Sequence, residues 1–138
     1  MMDAPRAQPD QPEPHPHIGG GYTIFYYDDL ASAADWYASV LGLTRMLSAP
    51  GLEIFRLGGS SCVALVGAGY GSQMPVRETN KGVILSLETE DLEGWHARLF
   101  RMGVAGVGEG LQTGVDGRTL EFKVRDPGGY CVEFFEWI

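Results

Sequence analysis

A single carboxylate, Glu133, interrupts an apolar segment near the end of the chain. It follows the sequence Asp126-Pro-Gly-Gly129, in which proline presets the backbone for a turn and glycine accepts a positive φ. This turn predicts a hairpin whose second strand, 130–135, carries Glu133 on the same face as Cys131 and Phe135, since side chains alternate along a strand. A carboxylate in such a place can transfer a proton or bind a polar ligand.

Other polar and aromatic side chains fall on the same face if the neighbouring segments are strands that alternate in the same way. The candidate catalytic residues are Glu133, as a general base, and Tyr22, with Tyr26 as its alternative, as a donor to a developing oxyanion. Glu133 has a structural alternative, which is pairing with Arg56 or Lys123, and tyrosines often serve packing. The candidate ligand-binding residues are Tyr22, Tyr26, Arg56, Ser86, Glu88, Lys123, Cys131, Glu133 and Phe135.

The histidines and cysteines give little support to a metal or redox site. His15 and His17 alternate with proline in a polar segment, so we expect them to be exposed to solvent. His96 falls on a predicted helix, away from the strands. Cys62 and Cys131 stand in similar sequence contexts, and we expect both to be free thiols that pack as small apolar residues.

The first half of the chain predicts a strand, a helix and three more strands. Aromatic and β-branched residues begin at Tyr22 and favour a strand. Asp28 or Asp29 can cap the following helix, and Gly42 can end it. Short apolar runs between glycines then predict strands at about 44–48, 52–57 and 61–66.

The second half repeats this order. A strand begins at Gly82, Asp91 can cap a helix, Gly103 can end it, and a short segment near Val107 precedes the hairpin within 118–137. One apolar face of this helix is predicted to contain Leu92, Trp95, Leu99 and Met102.

The sequence therefore predicts an α+β fold of two tandem βαβββ modules. We expect a flexible proline-rich tail at 1–20, modules at 21–69 and 81–138, and a connector at 70–80. Because each sheet buries only one face under its helix, the modules are expected to form a concave mixed β-sheet cleft with the helices outside.

Composition restricts the partners of the chain. Its 138 residues have a formal charge of −8 and a pI near 4.7, which disfavours nucleic acids and anionic membranes. No apolar stretch reaches the roughly 20 residues of a membrane span, and the first residues lack the pattern of a secretory signal. We therefore expect a cytoplasmic protein whose partner is a small molecule.

Two motifs carry a resemblance to a known family. The segment 29–43 places an aromatic pair before Leu-Gly, and the segment 126–133 joins a tight turn to a strand with a carboxylate. At this spacing they resemble the vicinal oxygen chelate superfamily, which includes glyoxalase I, bleomycin resistance proteins, fosfomycin resistance enzymes and extradiol dioxygenases. The resemblance covers residues 21–138 and implies the tandem βαβββ fold.

The resemblance also indicates where metal ligands would stand. In this sequence those positions are Tyr22, Ala64, Ile84 and Glu133, and only Glu133 is a usual ligand. We therefore predict no metal and no cofactor.

Three functions follow from the resemblance and from these residues. The first is a metal-free protein of the bleomycin-resistance type that binds a small aromatic or cationic molecule in the cleft. The second is a metal-independent isomerase, epimerase or cyclase using Glu133 and a tyrosine. The third is a metal-dependent lyase or dioxygenase with atypical ligands. Members of this superfamily often pair modules between chains, so the resemblance also implies a homodimer as one possible assembly.

Overall fold

The computed structural model describes residues 13–138 and contains two four-stranded sheets and two helices. In order, the elements are β1 (Gly21–Tyr27), α1 (Leu30–Ser39), β2 (Arg45–Ala49), β3 (Leu52–Arg56), β4 (Ser61–Gly67), β5 (Ile84–Glu88), α2 (Leu92–Arg101), β6 (Gln112–Gly114), β7 (Thr119–Arg125) and β8 (Cys131–Trp137). The strand orders are β1-β4-β3-β2 and β5-β8-β7-β6. The prediction of an α+β fold with two βαβββ units is confirmed.

The first strand of each unit pairs parallel with the last strand, and the remaining pairs are antiparallel. Residues 13–20 form no helix or strand, and the first 12 residues of the predicted tail lie outside the described part. Within 13–138, no helix combines the length and the apolar character that a bilayer crossing needs.

Both helices begin at predicted capping residues and end two or three residues before the predicted glycines. Asp29, rather than Asp28, caps α1, and Asp91 caps α2; each side chain accepts a hydrogen bond of 3.1 Å from a backbone N–H in the first turn. Gly42 and Gly103 follow the helices with φ values of 72° and 67°, a conformation that glycine adopts without strain. The two helices therefore have the same local signals, an aspartate at the N-cap and a glycine with positive φ after the last turn.

Two local predictions were wrong. The short strand expected near Val107 lies instead at Gln112–Gly114, because Gly106 and Gly108 on either side of Val107 have positive φ and interrupt extended structure. Met102 was placed on the buried face of α2, but α2 ends at Arg101 and the Met102 side chain is 47% exposed.

The first and last strands pair in corresponding register in the two modules. Tyr22 lies opposite Cys62 in the first sheet, and Ile84 lies opposite Cys131 in the second. Ser86 and Lys123 lie on either side of Glu133, so these three side chains share one face of the second sheet, as alternation predicts.

The opposite face of each sheet packs against its helix and forms the hydrophobic core. Both helices and both sheets contribute to one cluster, whose members include Phe25, Ala33, Tyr37, Phe55, Val63, Leu65, Leu92, Leu99, Phe122, Val124, Val132 and Phe134. The faces that point away from the helices are partly uncovered: Tyr22, Ile24 and Ile84 are 60%, 53% and 48% exposed. Apolar and aromatic side chains are therefore available to a ligand or a partner on that side.

Candidate functional site

β1 and β5 are edge strands of their sheets, and residues of both line one cavity at the junction between the two modules. We call this junction the seam. One end of the seam is closed by Asp126, which is 5% exposed. Its Oδ2 accepts hydrogen bonds from the hydroxyls of Tyr27 and Tyr37, and its Oδ1 accepts from the N–H groups of Gly128 (3.0 Å) and Tyr130 (2.8 Å). One carboxylate thus links the second module's hairpin to the first module.

Burial determines the protonation of this cluster. Burial raises the pKa of the Asp126 carboxyl, although the hydrogen bonds from the tyrosine hydroxyls and backbone N–H groups oppose that rise. Burial also raises the pKa of Tyr27 and Tyr37. Both phenols therefore stay protonated and donate to the carboxylate.

Sequence reasoning missed this role of Asp126 and interpreted it only as a turn residue. A signal was present in the repeat, because the equivalent position of the first module is the apolar Leu57. A carboxylate in one module where the other has leucine indicates a specific polar partner.

Tyr130 completes the closed end of the seam. Its ring stacks on Phe25 of β1, with centroids 4.0 Å apart and planes inclined by 13°. Its hydroxyl donates to the carbonyl oxygen of Tyr26 (3.0 Å) and accepts from the N–H of Tyr26 (3.2 Å). The side chain thus satisfies the N–H and C=O groups of Tyr26 on the free edge of β1.

The other end of the seam is open and contains a cavity of about 730 Å³, a volume typical of small-molecule sites. We call it the seam cavity. Three predicted site residues, Tyr22, Ser86 and Glu88, line it. Its apolar walls include Leu43, Leu57, Leu85, Leu87, Trp95 and Phe134.

Glu133 lies next to the seam cavity in a network of hydrogen bonds and ion pairs. Ser86 Oγ donates to Glu133 Oε1 at 2.6 Å. Lys123 Nζ lies 3.1 Å from Glu133 Oε2 and 2.6 Å from Glu121 Oε2, while Thr119 donates to Glu121 (3.0 Å). The hydrogen bond from Lys123 lowers the pKa of Glu121, and the same bond raises the pKa of Lys123. Of the two alternative partners predicted for Glu133, the structure contains Lys123.

The remaining predicted residues are spread over the molecule. Lys123 and Cys131 line a second cavity of about 640 Å³, and burial raises the pKa of the Cys131 thiol. Tyr26 lines a third cavity of about 290 Å³. Arg56 donates to the carbonyl of Gly59 (3.1 Å).

Glu133, Arg56 and Phe135 line none of these three cavities. The predicted ligand-binding residues therefore share sheet faces without forming a single site. The seam cavity brings three of them together.

The donor set does not fit a divalent metal ion. The family positions are occupied by Tyr22, Ala64, Ile84 and Glu133, and the carboxylate of the last is already hydrogen-bonded by a serine and a lysine. Within residues 13–138, no three His, Cys, Asp or Glu side chains are grouped so that they could hold a metal ion. His96 packs edge-on against a phenylalanine ring of β7. These residues lack the several oxygen or nitrogen donors that such an ion requires.

Comparison with known proteins gives one family. The sequence model of the glyoxalase/bleomycin resistance protein/dioxygenase superfamily matches residues 10–134. Among solved structures, a lactoylglutathione lyase from Agrobacterium tumefaciens is 23% identical with a TM-score of 0.69, and 90% of this chain and 96% of that chain are covered.

Two further structures are similar. A glyoxalase/bleomycin resistance protein/dioxygenase from Nocardioides is 20% identical, with a TM-score of 0.70 and coverage of 90% and 85%. TioX from Micromonospora sp. ML1 is 21% identical, with a TM-score of 0.68 and coverage of 85% and 97%. At these identities the likeness concerns the fold. No curated protein sequence matches the chain.

Proposed function

Because the chain belongs to the glyoxalase/bleomycin resistance protein/dioxygenase superfamily, and because its family ligand positions do not fit a metal, we propose that it is a metal-free binding protein for a small aromatic or cationic molecule. The observation that carries this proposal is the seam cavity, where apolar walls surround Tyr22, Ser86 and Glu88. A mostly apolar cavity with a few polar groups is the usual form of a small-molecule site.

Each lining group has a distinct contribution to binding. The leucine, tryptophan and phenylalanine walls remove an aromatic ring from water. Among residues 13–138, Glu88 makes no salt bridge, so its carboxylate is free to attract a cation. The exposed Tyr22 ring can hold the same cation over its face. The net charge of −8 further favours a cationic ligand.

Binding of tyramine and of 4-ethylphenol, which lacks the amine, tests this proposal. We expect both compounds to bind. Glu88→Gln should weaken the binding of tyramine by about two- to fivefold, as for a partly exposed ion pair, and should leave the affinity for 4-ethylphenol unchanged. Glu90→Gln is the matched control, because Glu90 is exposed and lies outside the cavity lining. Calorimetry or NMR titration measures the affinities. If neither compound, nor a wider panel of aromatic amines, perturbs the cavity residues, the proposal fails.

A metal-independent isomerase, epimerase or cyclase is the second candidate. It is favoured by the 2.6 Å hydrogen bond between Glu133 and Ser86, which lines the cavity. Lys123, 3.1 Å from Glu133 Oε2, opposes it, because an ion pair stabilises the ionised carboxylate and makes it a weaker base. Loss of turnover of an identified substrate in Glu133→Gln, with binding retained, would establish proton transfer by this carboxylate.

A homodimer is part of the proposal. Its support is the set of large apolar side chains exposed on the uncovered sheet faces, which are Tyr22, Ile24, Leu47 and Ile84. Light scattering after size-exclusion chromatography would give twice the monomer mass. A monomer at micromolar concentration would contradict this part.

A further inference from the structure

The seam cavity at the open end of the seam corresponds in position to Tyr130 at the closed end. Tyr130 comes directly before Cys131, and Ser61 comes directly before Cys62. Since the two cysteines pair in the same register with the first strands of their modules, Ser61 takes the place of Tyr130 in the first module. Ser61 lines the cavity. The cavity is therefore the space that a tyrosine ring fills at the other end.

The surface beneath that ring is also present in both modules. Phe25, on which Tyr130 stacks, and Leu87, which lines the cavity, take the same place relative to the helix caps that follow them. Asp126 of the closed end corresponds to Leu57, which also lines the cavity. The cavity therefore keeps an apolar surface on which a ring could stack, but it has leucine where the closed end has the buried Asp126 carboxylate.

A backbone edge also remains without a partner. Glu88 corresponds to Tyr26, whose N–H and C=O are both bonded by the hydroxyl of Tyr130. The N–H of Thr89 bonds to Phe135 in β8 at 2.9 Å. Because successive residues of a strand point their backbone groups to opposite sides, those of Glu88 point to the free edge of β5. In the described chain, no side chain bonds to them.

We propose that the seam cavity binds molecules through a hydroxyphenyl group that replaces the tyrosine side chain missing at Ser61. The ring lies against Leu87, and its hydroxyl donates to the carbonyl oxygen of Glu88 and accepts from its N–H. This inference rests on the proposed function and states which chemical group of the ligand the cavity recognises. Since the cavity is larger than one ring, the rest of the molecule extends towards Tyr22 and the Glu88 carboxylate.

Comparison of p-cresol with toluene tests the hydroxyl. p-Cresol is the tyrosine side chain as a free molecule, and toluene lacks only its hydroxyl. We expect p-cresol to bind roughly three- to tenfold more tightly, as for one or two added hydrogen bonds, and to shift the Glu88 amide in ¹H–¹⁵N spectra. Equal affinities, or binding of p-cresol without a shift at Glu88, would overturn the inference.

Ser61→Tyr tests the location. This variant restores the tyrosine of the other module, so we expect it to fold, to keep or raise the melting temperature, and to weaken p-cresol binding at least tenfold. Ser72→Tyr adds the same side chain in the exposed connector and should bind p-cresol as the native protein does. A folded Ser61→Tyr protein with native affinity would overturn the inference. If that variant does not fold, the comparison of p-cresol with toluene decides.

The results separate this inference from the proposed function. If both probes bind the cavity equally, a small-molecule site exists and only the recognition of the hydroxyl is wrong. If p-cresol, toluene and the aromatic amines all leave the cavity residues unperturbed, both proposals are wrong.

Discussion

Tyr37→Phe removes one hydroxyl from the closed end of the seam and should destabilise the protein measurably. The Tyr37 side chain is fully buried, and its hydroxyl donates to Asp126 at 2.9 Å. A hydrogen bond to a charged group contributes about 1.5–3 kcal/mol. Asp126 keeps three other donors in the variant, so we expect a loss near the lower end, about 2 kcal/mol. For a chain of this length, that corresponds to a fall of roughly 6–8 °C in melting temperature.

Urea unfolding followed by circular dichroism measures this loss, provided that the slope of the transition is unchanged. Tyr22→Phe is the matched control, because it removes the same hydroxyl from a side chain that is 60% exposed and should change stability by less than about 0.5 kcal/mol. If the two variants unfold alike at pH 7, the buried cluster does not stabilise the fold as described.

The effect of Tyr37→Phe should also depend on pH. Burial holds the folded pKa of Asp126 above its unfolded value, so its own contribution to stability is largest below the unfolded pKa and is lost as pH rises through the folded pKa. The hydrogen bond from Tyr37 lowers that pKa and so offsets part of this loss. The stability difference between native protein and variant should therefore be largest above the folded pKa and should narrow in acid. A difference that widens in acid would refute this reasoning.

Two further predictions concern the polar network and the thiols. Lys123→Met removes the hydrogen bond that chiefly lowers the pKa of Glu121, together with the charge that adds to it, so the Glu121 pKa should rise when its carboxyl carbon is titrated by NMR. Because Glu121 stabilises the native fold above its unfolded pKa and loses this contribution as pH falls through its lowered folded pKa, the variant should lose that part of its pH dependence; an unchanged Glu121 titration would contradict the assignment of the network. Burial raises the pKa of the Cys131 thiol, so iodoacetamide at pH 8 should modify native Cys131 at least about tenfold more slowly than the urea-unfolded chain. Equal rates, measured by mass spectrometry, would show that this thiol is accessible.

Much of the fold could be predicted because local signals occur twice. Asp29 and Asp91 cap the helices, and Gly42 and Gly103 follow them. These signals depend on neighbouring residues, so the sequence contains them directly. The strand near Val107 was misplaced because its glycine-rich surroundings lack a period that distinguishes strand from loop.

The site was harder to predict because alternation identifies a face and not a cavity. Tyr22, Ser86 and Glu88 come together because the edge strands of two different modules line one cavity, which no local pattern specifies. Arg56 and Phe135 lie on the expected faces without lining that cavity. The role of Asp126 could not be predicted locally, because the tyrosines that donate to its carboxylate come from a distant part of the chain.

The buried carboxylate also affects how the protein is made. Tyr37 is separated from Asp126 by 89 residues, so at about 5–20 residues per second a ribosome needs roughly 4–18 s to add them. During this interval the hydroxyls of Tyr27 and Tyr37 lack the Asp126 carboxylate that accepts their hydrogen bonds. The backbone of β1 likewise lacks its hydrogen bonds to the Tyr130 hydroxyl. The nascent first half therefore cannot reach its final packing before the last hairpin is released.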